Sequence, residues 1–152
     1  MDEKEILKEK FKSAVSSAVK VISENYSLEV KFGNSVDKKE NFLNLPEVAN
    51  LKNLQDFTNL RALADSEALK IKYNDKKTYL KNEPKGTMAK ALYAIAEQIR
   101  YEKIGSERLK GVKKNIIQSY ENKFKNKKIY EIKTESDVPI TEAFELYLRT
   151  YF

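Results

Sequence analysis

The sequence predicts a mainly α fold: a single-domain bundle of about five helices with one or two short β-strands. Three observations carry this. Apolar residues recur every three or four positions along most of the chain, the mark of amphipathic helices. Strict apolar–polar alternation is confined to residues 28–32, room for one short strand. The 152 residues suit one domain, and only four glycines and three prolines interrupt them.

The first helix is expected over residues 2–25. Leu7, Phe11, Ala14, Ala18 and Ile22 share one face, and Asp2, Glu3 and Glu5 occupy the first turn, where the helix dipole favours anions. Leu28 to Phe32 then alternates as a half-buried strand ended by Gly33-Asn34. Residues 34–46 read as an irregular connection pinned by Phe42, Leu43 and Leu45. A second helix is expected over 51–74, burying Phe57, Leu60, Ala64, Ala68 and Ile71, followed by an extended stretch at 75–80 and a turn around Pro84. The third helix is expected over 87–104, capped by Thr87, with Met88, Leu92, Ile95, Ala96 and Ile99 inward. Gly105 should break or bend the chain, and Ser106 should cap a fourth helix striped by Leu109, Val112, Ile116, Tyr120 and Phe124. Gly111 inside that helix costs about 1 kcal/mol relative to Ala unless close packing needs it. Residues 123–133 read as a Lys-rich loop with a possible strand at 129–132. Pro139 fits the first turn of a last helix with Ile140, Phe144, Tyr147 and Tyr151 on its apolar face.

Composition excludes more chemistry than it suggests. The chain has no cysteine and no histidine. Disulfides, soft-metal sites and the Ser-His and Cys-His nucleophile systems therefore have no residues to build them. Oxygen ligands for Mg²⁺ or Ca²⁺ remain, yet Asp37 and Asp75 lie in expected loops without the several carboxylates a Ca²⁺ site needs. Neither a G-x-x-x-x-G-K-[ST] loop nor a G-x-G-x-x-G turn occurs, so no glycine-rich phosphate cradle is encoded, and the D-x-S-x-S metal-adhesion motif is absent too. No apolar run approaches the ~20 residues of a membrane span, and the charged N-terminus lacks the apolar core of a secretory signal, which favours the cytoplasm. The net charge is +6, but only four of the 29 basic residues are Arg, the better reader of phosphates and base edges.

Three constellations stand out. Arg61 and Asp65 are four apart at the edge of an apolar stripe, either an ion pair that organises packing or a contact for a partner subunit. Glu97, Arg100 and Glu102 form a second group, a structural pair by preference, since nothing adjacent supplies a nucleophile for acid–base work. The third is Lys110, Lys113, Lys114, Lys123, Lys125, Lys127 and Lys128 interleaved with Tyr120 and Phe124. It is a solvated face or, alternatively, a single-strand nucleic-acid surface.

Three stretches in order, Arg61-Ala-Leu-Ala-Asp-Ser-Glu-Ala-Leu69, Glu97-Gln-Ile-Arg-Tyr-Glu-Lys-Ile-Gly105 and Lys110-Gly-Val-Lys-Lys-Asn-Ile116, resemble the N-terminal region of the CobT subunit of aerobic, ATP-dependent cobaltochelatase. The strand, the Leu45-Pro46 pair, the Pro84 turn and the closing PITEAFELYLRTYF fit more loosely, so the resemblance covers about residues 11 to 152. It implies a part in inserting cobalt into hydrogenobyrinic acid a,c-diamide during cobalamin synthesis. The partners it implies are an AAA+ CobS-type ATPase subunit and a large CobN-type subunit, with a homo-oligomer also open. ATP, Mg²⁺ and Co(II) are implied for the complete complex and no cofactor for this domain. The family's acidic middle segment and von Willebrand A-like domain fall outside residues 1–152. No catalytic residue carries over; Arg61, Asp65, Glu97, Arg100 and Glu102 carry over as a polar network or subunit interface.

Overall fold

The computed structural model describes residues 2–34, 41–125, 133–134 and 138–152. Among these it is mainly α, with six α-helices and a two-stranded parallel sheet. Helix α1 (Glu3–Ser23) starts on Glu3 and Glu5 and ends at Glu24 in the left-handed conformation. Its buried line runs through Val15, Val19 and Ile22, with Phe11 packed beside it, not through the expected Leu7 and Ala14, which are exposed. Two adjacent stripes satisfy the same period, and the one carrying the bulkier valines is buried because it removes more apolar area from water.

Strand β1 (Glu29–Phe32) follows and is ended by Gly33, whose φ of 93° suits glycine. The connection expected to be irregular contains strand β2 (Phe42–Leu45), parallel to β1 with Glu29 opposite Phe42 and Phe32 opposite Leu45. The strand expected at 129–132 lies outside the described residues, as does Asp37. A 3₁₀ turn (Val48–Asn50), capped by the Glu47 side chain, leads into α2 (Leu54–Tyr73). That helix starts later than expected because Asn53 and Asp56 form a reciprocal capping box, each side chain accepting from the other's backbone N–H. The stretch expected to be extended is a short helix, α3 (Lys76–Asn82), started by Asp75, whose carboxylate accepts from the Lys77 N–H and the Thr78 hydroxyl.

Helix α4 (Thr87–Arg108) is capped by Gly86 at φ 97°, not by Thr87, and runs straight through Gly105. Gly105 marks a crossing and not a break: a Cβ there would lie 2.2 Å from Leu69 Cδ2 on α2. The chain turns instead at the extended Leu109, and α5 (Lys110–Lys125) begins at once. Gly111 has open space around it and sits in the first turn of α5, so close packing does not account for it. Pro139 stands at the cap of α6 (Ile140–Arg149), one residue before the first turn.

Helix α2 is the hub and packs against α1, α4 and α5, while α4 also carries α5 and α6. The apolar core gathers Val15, Val19, Leu28, Leu45, Val48, Leu60, Leu69 and Ile116, with Phe11 set edge-on against Phe57 at 5.0 Å. Ile71, Met88 and Leu109, expected inward, are exposed, whereas Ala62, Asp65 and Ser66 of α2 are buried: three neighbouring helices cover α2 on more sides than one stripe provides.

Candidate functional site

At the end of the bundle where α4, α5 and α6 meet, the buried contacts are ionic. Glu102 projects from α4 and is 1% exposed. One of its carboxylate oxygens accepts from the Ser66 hydroxyl of α2 at 2.5 Å and from the Gln98 amide, one turn earlier on α4, at 3.0 Å. The other accepts from the Arg149 guanidinium of α6 at 2.9 Å. Arg149 also donates from Nε to Glu145, one turn back on α6, at 3.2 Å, and Lys123 of α5 completes the chain with a 2.8 Å bond to Glu145. The Arg149 guanidinium lies 3.1 Å from the centre of the Tyr120 ring, and the Tyr120 hydroxyl accepts from Gln98 at 3.2 Å. Two carboxylates thus face two cations, which is the condition under which burial of charge is tolerable.

The protonation states follow. Burial acts to raise the Glu145 pKa, but the bonds and charges of Lys123 and Arg149 outweigh it and hold the carboxyl below its usual range. Burial, reinforced by the Glu102 charge, pushes the Tyr120 phenol well above its ordinary value, and burial does the same to Tyr101. Near neutrality these shifts favour an ionised Glu145 and neutral Tyr120 and Tyr101 phenols.

The residues singled out in sequence fall into three places. Asp65 is fully buried; Arg61 stands 3.0 Å from one oxygen and Asn115 of α5 donates to the other at 2.7 Å. That first oxygen is held by the Arg61 ion pair alone. Burial raises the Asp65 pKa, with Asn115 and Arg61 only partly opposing it. Glu97 and Arg100 form a two-bond pair, each bond 2.7 Å, and Arg100 also donates to the Tyr73 carbonyl at the last turn of α2. Asn74 donates to Glu97 as well, so the pair clasps the end of α2 to α4; the Arg100 bond above all lowers the Glu97 pKa against the effect of burial. Glu102, grouped with them in sequence, points to another side of α4 and is paired with Arg149 instead.

Helix α6 corrects the expectation most. Three of the four residues of its expected core face are outward, with Ile140 57%, Tyr147 59% and Tyr151 66% exposed and Phe144 half-buried, while Glu145 is buried and the Arg149 side chain is largely covered. The demand of Glu102 for a counter-charge decides which side faces in. Sequence reasoning missed Glu145 and Arg149; their opposite charges four apart on α6 are the signal that could have found them. Ser66, Gln98, Tyr120 and Lys123 carry no comparable signal. Of the basic run, Lys110, Lys113, Lys114 and Lys125 are exposed, Lys123 is engaged with Glu145, and Lys127 and Lys128 lie outside the described residues. Arg149 covers the Tyr120 ring, which removes one stacking platform a nucleic-acid surface would use. Asp75 serves as the cap of α3.

A small cavity of about 150 Å³ lies beside Glu102, lined mainly by apolar surface from Ala62, Leu63 and Ile116, with Asn59, Gln98 and Ser119 at its polar edge. Among the described residues no three Asp or Glu side chains gather as a metal site, and no helix is long and apolar enough to cross a membrane. A family model described as cobalamin biosynthesis protein CobT matches residues 6–152. No solved structure matches the chain.

Proposed function

Since the chain belongs to the CobT family, and so to cobalamin biosynthesis, we propose that it is a non-catalytic assembly domain of an ATP-dependent cobaltochelatase. In this reading the complex inserts Co(II) into hydrogenobyrinic acid a,c-diamide in the cytoplasm. An AAA+ CobS-type subunit supplies ATP hydrolysis with Mg²⁺, and a large CobN-type subunit holds the ring and the metal. The present chain contributes a rigid helical body for its neighbours to hold.

One observation supports this reading above the others: where α4, α5 and α6 meet, the buried ionic groups satisfy one another. Glu102 and Glu145 are consumed by Ser66, Gln98, Arg149 and Lys123, leaving no free buried carboxylate there for a substrate or metal. Such a network specifies how helices sit more than it performs chemistry. The test is size-exclusion chromatography of the chain mixed with the AAA+ subunit, beside ATPase and chelatase assays of the chain alone. Co-elution with no turnover by the isolated chain is expected. Turnover of ATP or metallation of the ring by the chain alone, or failure to co-elute, would refute the proposal.

A further inference from the structure

Between α5 and α6 lies an open groove of about 510 Å³, lined mainly by Ile117, Tyr120, Phe124, Leu146 and Phe152. Ile117 and Leu146 are exposed within it, an arrangement that costs free energy in water unless something covers them. The groove face of α5 continues toward its N-terminus in lysines. Lys113 and Lys114 stand four and three residues before Ile117, and Lys110 seven before it, so all three share its side of the helix. Lys125 borders the other end. None of these four lysines has an ion pair among the described residues, against a single acidic lining residue, Glu121. The two other cations nearby, Arg149 and Lys123, are committed to Glu102 and Glu145.

From this juxtaposition we infer that the α5/α6 groove binds an amphipathic, acidic helix of a partner protein. An apolar trough matched in length to a few helical turns takes the i, i+3, i+4, i+7 side chains of such a helix. Uncompensated lysines along its border select for Glu and Asp on the partner's flanks. A second copy of this chain fits poorly, because it would bring the same lysine border against itself. A nucleic acid fits poorly, because Arg149 already covers Tyr120 and the free border cations are lysines. The inference deepens the assembly proposal by giving it a surface, and the two fail separately: co-elution with the ATPase subunit tests the one, peptide binding the other.

The experiment uses a fluorescent helical peptide of about 16 residues with Leu at i, i+3, i+4 and i+7 positions and Glu elsewhere, titrated with the full chain at low and moderate salt. Binding is expected at low salt, weakening as salt screens the lysines. Ile117→Glu and Leu146→Glu should each weaken it by about tenfold or more without lowering the thermal midpoint, because both side chains are partly exposed already. Lys113→Glu combined with Lys114→Glu should weaken it and flatten its salt dependence. Equal binding of a shuffled peptide of the same composition would overturn the inference, as would no binding at low salt. So would tighter, Ile117-dependent binding of a single-stranded oligonucleotide, or a dimer in sedimentation that Ile117→Glu dissolves. If Ile117→Glu does lower the midpoint, Leu146→Glu alone decides.

Discussion

Where α1 and the two strands meet α2, the touching side chains are Val15, Val19, Leu45, Val48 and Leu69; where α6 meets α4 and α5, they are Glu102, Arg149, Glu145 and Lys123. The first contact is non-directional. Each buried Val or Leu contributes about 1.5–3 kcal/mol, and similar volumes can replace one another. The second contact is directional and fails if one member is removed, because the partner left behind is a buried charge. The ionic end also leaves the apolar side of α6 outward, next to the groove. A helix held by its charged face keeps its apolar face available, whereas α1, held by its apolar face, presents lysines and glutamates to water.

Three substitutions sharpen or break this contrast. Arg149→Met keeps much of the volume but strands the Glu102 charge and leaves Glu145 with Lys123 alone, and a loss of about 3–5 kcal/mol is expected in urea unfolding. A loss below about 1 kcal/mol would mean that the network is not what holds α6. Gly105→Ala attacks the apolar side of the comparison. Its Cβ would enter the space of Leu69, which is fully buried, so a loss of about 1–3 kcal/mol and a lower thermal midpoint are expected.

Asp65→Asn should have the smallest effect at neutral pH, about 1 kcal/mol, because burial already disfavours the charged carboxylate and Asn115 can still donate to an amide oxygen, which leaves the loss of the partly exposed Arg61 ion pair as the main cost. Its signature is in the pH profile. The Asp65 pKa is raised in the fold, so its contribution is fullest below the unfolded value and declines as pH rises through the folded one. Glu97 and Glu145 have lowered values, so their contributions are present above the unfolded carboxylate range and are lost as pH falls. In the wild type Asp65 partly offsets the acid loss. Unfolding midpoints followed from pH 7 down to about pH 3 should therefore fall more steeply in Asp65→Asn than in wild type.

Most of this architecture was legible because helical periodicity is local. The four longest helices and the strand at Leu28 to Phe32 could be read from spacing alone, and Asp65 stood out at a stripe edge. The features that escaped depend on distant residues. The β2 strand exists through pairing with β1, and FLNL is too short to declare it. Gly105 looks like a breaker until Leu69, thirty-six positions earlier, is seen to need its missing side chain. Periodicity located the apolar face of α6 correctly but could not say that it points outward, since that depends on Glu102, 47 residues away. Among the residues singled out in sequence, Glu97 and Arg100 do pair, Arg61 lies beside Asp65, and Glu102 is separated from both groups by its position around α4.

The most direct test of the proposed role is hydrogen exchange of the chain, alone and with the AAA+ subunit added. Slowed exchange concentrated in α5 and α6, with α1 unchanged, is the expected result for a body held by its neighbours at the ionic end. Exchange that the partner leaves unaltered along the whole chain would contradict it.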